Sequence, residues 1–76
     1  MFKKTIEATL RDVRMVSIHG LRYYDILYIK DGDNQTAQRS RAPYEEVYRD
    51  PRPGDRVRIH AILDTVTGVE KLDQDA

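Results

Sequence analysis

The amino-acid sequence predicts an all-β fold, a five-stranded barrel with one short helix between the third and fourth strands. The first observation behind this is the closing segment. Pro53-Gly54-Asp55 is a turn that delivers the chain into a strand with Val57, Ile59, Ala61 and Leu63 on one face. A short loop containing Gly68 then returns it as Val69-Glu70-Lys71-Leu72. The second is a long alternating segment at the start, and the third is the clean alternation of residues 21–30.

Phe2 to Ile18 reads as a first strand. Ile6, Ala8 and Leu10 lie on one phase, and Val13 and Met15 on the other, with the change at Arg11-Asp12. A one-residue phase slip inside a long strand marks a bulge, which lets one bent strand serve both halves of a barrel. Ser17-Ile18-His19-Gly20 reads as a loop. Leu21 to Lys30 is the second strand, with Leu21, Tyr23, Asp25, Leu27 and Ile29 on one face and Arg22, Tyr24, Ile26, Tyr28 and Lys30 on the other. Asp31-Gly32-Asp33-Asn34 is a turn, and Gln35 to Arg41 a short polar third strand.

Ala42 to Asp50 reads as a helix. Pro43 suits its first position, Glu45 and Glu46 complement its dipole, and Tyr44, Val47 and Tyr48 share a face. Pro51 and Pro53 stop it. Residues 1–72 form a single domain by this reading, and 73–76 a short disordered acidic tail. An SH3-like barrel is the competing fold, and the helix argues against it.

Composition narrows the chemistry. With 76 residues the chain makes one domain with a small core. No run approaches the roughly 20 apolar residues that span a bilayer. Charged residues break up the start, so a signal peptide is not expected, and a cytoplasmic protein is. The absence of cysteine excludes disulfides, thiolate catalysis and cysteine-bound zinc. Thirteen basic and 13 acidic residues give no net charge, which argues against an indiscriminate nucleic-acid binder. The distribution is uneven: residues 1–58 carry +3 and residues 59–76 carry −3. Most of the cations are arginines, which favour planar two-point contacts; composition noise and a solvated tail also account for the asymmetry.

Enzyme chemistry finds no support. His19 and His60 lack metal-ligand spacing, Ser17 and Ser40 lack a nucleophile elbow, and the four glycines form no phosphate cradle. No catalytic residue, metal or cofactor is expected. The candidate surface is instead Arg22, Tyr24, Tyr28 and Lys30 of the second strand with Arg39 and Arg41 of the third, extended by Arg58. A base stacked on tyrosine gains roughly 1–3 kcal/mol without sequence readout, and neighbouring cations meet phosphates. The competing reading packs Tyr24 and Tyr28 under the helix or against a partner. Tyr44 and Tyr48 read as core-capping. Arg56, Arg58 and His60 also read as a plain solvated face, as do Lys3, Lys4, Arg11 and Arg14.

The element order is that of an OB-fold, strand-strand-strand-helix-strand-strand. With His19-Gly20-Leu21-Arg22-Tyr23-Tyr24, Pro53-Gly54-Asp55-Arg56-Val57-Arg58-Ile59 and Thr67-Gly68, the chain resembles the single-stranded DNA-binding and primosomal proteins of bacteria and phages. It is shorter than those proteins, has no Trp and a single Phe, and lacks their glycine-rich linker and acidic-aromatic tip. The resemblance implies a small accessory OB-fold protein that binds single-stranded DNA or RNA without catalysis. The other class is a protein-interaction module that docks a partner, or a second copy, through the tyrosine face. No membrane association is expected.

Overall fold

A computed structural model describes residues 3–33 and 36–72. It contains β1 (Lys3–Ile18), β2 (Leu21–Lys30), β3 (Ala37–Pro43), a 3-10 turn (Tyr44–Glu46), β4 (Arg56–Ile62) and β5 (Thr65–Lys71). All ladders are antiparallel, in one sheet of order β3-β2-β1-β4-β5. The expected tail at 73–76 lies outside the described residues.

β1 is the spine of the sheet. Lys3 to Thr9 pair with β4, and Ala8 to Ile18 pair with β2. The register slips between Leu10 and Asp12, where the phase change predicted a bulge. The extra residue, Arg11, keeps Val13 on the same side as Ala8 and Leu10. That side packs on Ile26, Tyr28, Val57 and Ile59, all buried. Met15 has the same phase yet is 48% exposed, because β1 has by then run past β4 and its covering strands. The expected loop at 17–20 is only a two-residue turn. β1 continues to Ile18, and His19 and Gly20 turn with φ of 51° and 80°. Positive φ at both positions matches the right-handed twist of a tight hairpin.

Three expectations are corrected. The sheet is open rather than closed into a barrel. Between its edges the structure places one isolated parallel bridge, Val47 to Val69, and a bond from the Tyr48 amide to the Val69 carbonyl. The chain leaves β3 at Pro43 and turns away before a β3–β5 ladder can form. The helix is a single 3-10 turn, since Val47 already has extended backbone at φ −112° and ψ 140°. One turn fixes several dihedrals for one or two bonds, and β-branched Val47 gains more by pairing with β5. Finally, the last hairpin turns at Leu63-Asp64, not around Gly68. Leu63 has φ 55° and is 63% exposed, while Thr65-Val66-Thr67 are β-branched and extend as strand.

One clamp anchors the loop before β4. The Tyr48 hydroxyl donates to Asp55 Oδ2 at 2.7 Å, and the Arg52 amide donates to the same oxygen at 3.1 Å. Burial first, and then the bond to Asp55, push the Tyr48 hydroxyl well above its ordinary pKa. Burial acts to raise the Asp55 carboxyl too, but the Tyr48 and Arg52 bonds and the charges of Lys71 and Arg52 outweigh it and hold it low. A depressed carboxyl contributes stability in full above the ordinary value of 3.8, and loses it as pH falls through the folded value. Tyr48→Phe is expected to cost about 1–2 kcal/mol in urea unfolding at pH 7. Asp55→Asn should flatten the loss of stability below pH ~4 relative to the parent, in acid titrations followed by circular dichroism.

Candidate functional site

β2 alternates along its length, so the sheet must choose which face to bury. It buries Ile26 and Tyr28, at 1% and 4% exposure, and packs the half-buried Tyr24 against them. The opposite choice would bring Asp25 into the core without a counter-charge, which is costly. Arg22 and Lys30 stand at the two ends of the strand on the buried phase, where long side chains reach water.

The outer face of β1, β2 and β3 follows from the register. Val16, Tyr23 and Pro43 form one row, and Arg14, Asp25 and Arg41 the next. Asp12, Leu27 and Arg39 form a third. Three arginines thus surround Asp25, beside the partly exposed ring of Tyr23. Arg41 grips Asp25 with two bonds, Nε to Oδ1 at 2.6 Å and Nη2 to Oδ2 at 3.1 Å. That bond holds the Asp25 carboxyl below its ordinary range, helped by the charges of Arg41, Arg39 and Arg14 and opposed by burial. Among the described residues Arg14 and Arg39 make no hydrogen bond or ion pair, although both act on Asp25 through space. A hollow of about 120 Å³ lies between them, also lined by Asp12, Asp25, Ile26 and Leu27.

The residues nominated from sequence separate into five places. Arg39 and Arg41 are on this outer face. Tyr28 is core, its hydroxyl 3.4 Å from Ser40 Oγ and 3.5 Å from Gln38 Oε1, and it has no open stacking surface. Lys30 lies opposite Ala8 at the far end of β2. Arg22 and Tyr24 belong to a separate stack. The Tyr24 and Tyr44 rings lie 5.3 Å apart at 22°, and the Arg22 guanidinium covers Tyr44 at 4.5 Å. Burial, then Tyr44 and Asp50, raise the Tyr24 hydroxyl, while Arg22 lowers it. Arg58, on the outside of β4, is held by Glu7 at 2.9 Å and Glu70 at 3.2 Å. The grouping of Arg22, Tyr24, Tyr28 and Lys30 with Arg39 and Arg41 is therefore corrected: the sheet divides them between opposite faces.

Sequence reasoning missed Tyr23 as a surface ring and Arg14 as its neighbour. Asp25 carries the signal that finds them, since a carboxylate in mid-strand marks the solvent face and takes Tyr23 and Leu27 with it. A larger hollow, about 550 Å³, lies elsewhere, where Lys3, Lys4 and His60 meet Glu46 and Gly68. It is wide and mixes both charges, with no converging set of donors. No group of acids and histidines among the described residues is arranged to hold a metal. No described helix is long and apolar enough to cross a membrane.

Fold and face together define an all-β protein with an arginine-rich sheet surface around one tyrosine. Searches of protein-family models, curated proteins and solved structures found no match for the chain.

Proposed function

We propose that this protein binds single-stranded nucleic acid, without catalysis or cofactor, through the outer face of β1, β2 and β3. The observation that carries the reading is the pair of cations Arg14 and Arg39 on the same outer face as Tyr23. Arg52 is neutralised by Asp50, Arg56 by Asp31, and Arg58 by Glu7 and Glu70, while Arg22 lies on the Tyr44 ring and Arg11 and Arg49 make no ion pair among the described residues. In a chain with no net charge, Arg14 and Arg39 thus stand as two uncommitted guanidinium groups on one face with Tyr23. Guanidinium groups meet phosphates at two points, and a tyrosine ring accepts any base.

The topology supports the same reading. β1 pairs with both β2 and β4, and the outer edges β3 and β5 approach each other. Those are the relations of an OB barrel without its closing ladder. The reading places the protein in the cytoplasm as a small accessory factor, with affinity near micromolar at physiological salt because no net charge adds background attraction. A second reading, a protein-docking module, rests on the exposed Leu21 and Met15 rather than on the tyrosines of the buried phase.

Titration of isotope-labelled protein with oligonucleotides tests the proposal. The amides of Arg14, Tyr23, Arg39 and Arg41 should shift, and those around Tyr28 should not. Tyr23→Ala should weaken binding by roughly 1–3 kcal/mol with little change in salt dependence. Absence of any shift with millimolar DNA or RNA would rule the reading out.

A further inference from the structure

Beyond Leu10, β1 has a strand on one side only. Its pairing with β4 ends at Thr9, and Leu10 exchanges its backbone bonds with Gly54 and Asp55. From Asp12 to Ile18 its single partner among the described residues is β2. In an antiparallel hairpin with a two-residue turn, the residues flanking the turn exchange both backbone bonds, and the pattern then alternates. Ile18, Val16, Arg14 and Asp12 therefore bond to β2, while Ser17, Met15 and Val13 aim their N–H and C=O groups at the open edge. The Val13 amide agrees with that alternation, since it donates to Asp12 Oδ1 at 3.0 Å instead of to β2.

An open edge with three outward residues in regular alternation is a template for another strand. We propose that its occupant is a second copy of this chain, paired antiparallel about a two-fold axis at Met15. In that register Met15 exchanges both backbone bonds with Met15 of the other copy. Val13 bonds with Ser17 of the other copy, and Ser17 with its Val13. All the outward groups are used, which no register shifted by one residue allows. Side chains agree as well. Met15, 48% exposed in the single copy, covers its equivalent. Arg14 falls opposite Val16, and Asp12 opposite Ile18, so no like charges face each other. Two copies of a chain with zero net charge also approach without repulsion.

The seam is narrow, and Asp12 must release the Val13 amide, so the dimer is a weak, reversible one. Both outer faces lie on the same side of the joined sheet, and Arg14 of each copy flanks the seam. If the outer face binds nucleic acid, the dimer offers a longer track, but the pairing itself does not depend on that reading.

Sedimentation equilibrium without oligonucleotide tests it, run from micromolar to millimolar protein. The parent should move from monomer towards dimer. Met15→Pro removes an outward amide that β2 does not use, and Met15→Lys sets two cations against each other. Each should raise the dissociation constant about tenfold or more while the circular dichroism spectrum stays that of the parent. Amide exchange gives an independent reading: Met15 and Ser17 should become protected as concentration rises, whereas Arg14 and Val16 are protected throughout. A parent that stays monomeric at millimolar concentration overturns the proposal. So does a dimer that both variants leave intact, or one in which the Met15 and Ser17 amides stay exposed.

Discussion

Tyr28→Ala is expected to cost about 3–5 kcal/mol of folding stability, the range for removing a large buried ring. Tyr28 is 4% exposed and lies between Leu10 of β1 and Gln38 of β3 in register. Its ring fills the sheet's packed side beside Ile26 and Ala42. A domain of this length has a total stability of roughly 4–11 kcal/mol, so the variant should sit near the limit of folding. Tyr28→Phe separates ring from hydroxyl. The hydroxyl contacts are long, at 3.4 and 3.5 Å, so its loss should cost less than about 1 kcal/mol. Urea unfolding of the three proteins measures both. A Tyr28→Ala variant within about 1 kcal/mol of the parent would mean that β2 presents the opposite face to the core.

That choice of face is where the sequence is least legible. Both phases of β2 carry apolar residues, so periodicity alone cannot select one, and tyrosine and arginine together suggest a surface. The deciding residue is Asp25, whose charge has a partner only if the strand turns it outward to Arg41 and Arg14. The bulge at Arg11 was plain because a one-residue slip leaves a direct mark on the alternation. The last turn was obscured by Gly68, which sits in mid-strand opposite His60, while the turn itself uses Leu63, a residue with no turn preference. Glu45 and Glu46 suited a helix start, yet Pro51 and the pairing of Val47 with β5 left room for one turn only. Of the candidate site, Arg39 and Arg41 were legible as a pair on β3. Tyr23 and Arg14 join them only through cross-strand register, which no local pattern reveals.

Charge on the outer face should control binding in both directions. Arg14 and Arg39 have no ion-pair partner among the described residues, so each can meet a phosphate without first breaking a bond. Arg14→Glu with Arg39→Glu should therefore lower affinity for single strands by about 100-fold, taking each charge-assisted bond at roughly 1.5 kcal/mol. The salt dependence should also flatten by about 0.7 for each phosphate that the variant no longer neutralises. Asp25→Asn should do the reverse. The Asp25 carboxylate occupies the fork of Arg41, where a phosphate oxygen would bind, and it repels the incoming backbone. Its removal frees that fork, and affinity should rise by up to about tenfold. Stability should change little, because the pair lies on the sheet surface with the Arg41 side chain half exposed, where solvent screens it. Asp25 is held below its ordinary value of 3.8, so it stays charged through the neutral range, and affinity should not vary through its titration between pH 5 and 8. Its contribution to stability is likewise complete above 3.8 and lost only as pH falls through the lower folded value. Fluorescence anisotropy with a labelled oligonucleotide at two salt concentrations reads all of this. If Asp25→Asn weakens binding instead, Arg41 needs its carboxylate partner to be positioned, and Asp25 acts as a support of the site rather than a competitor for it.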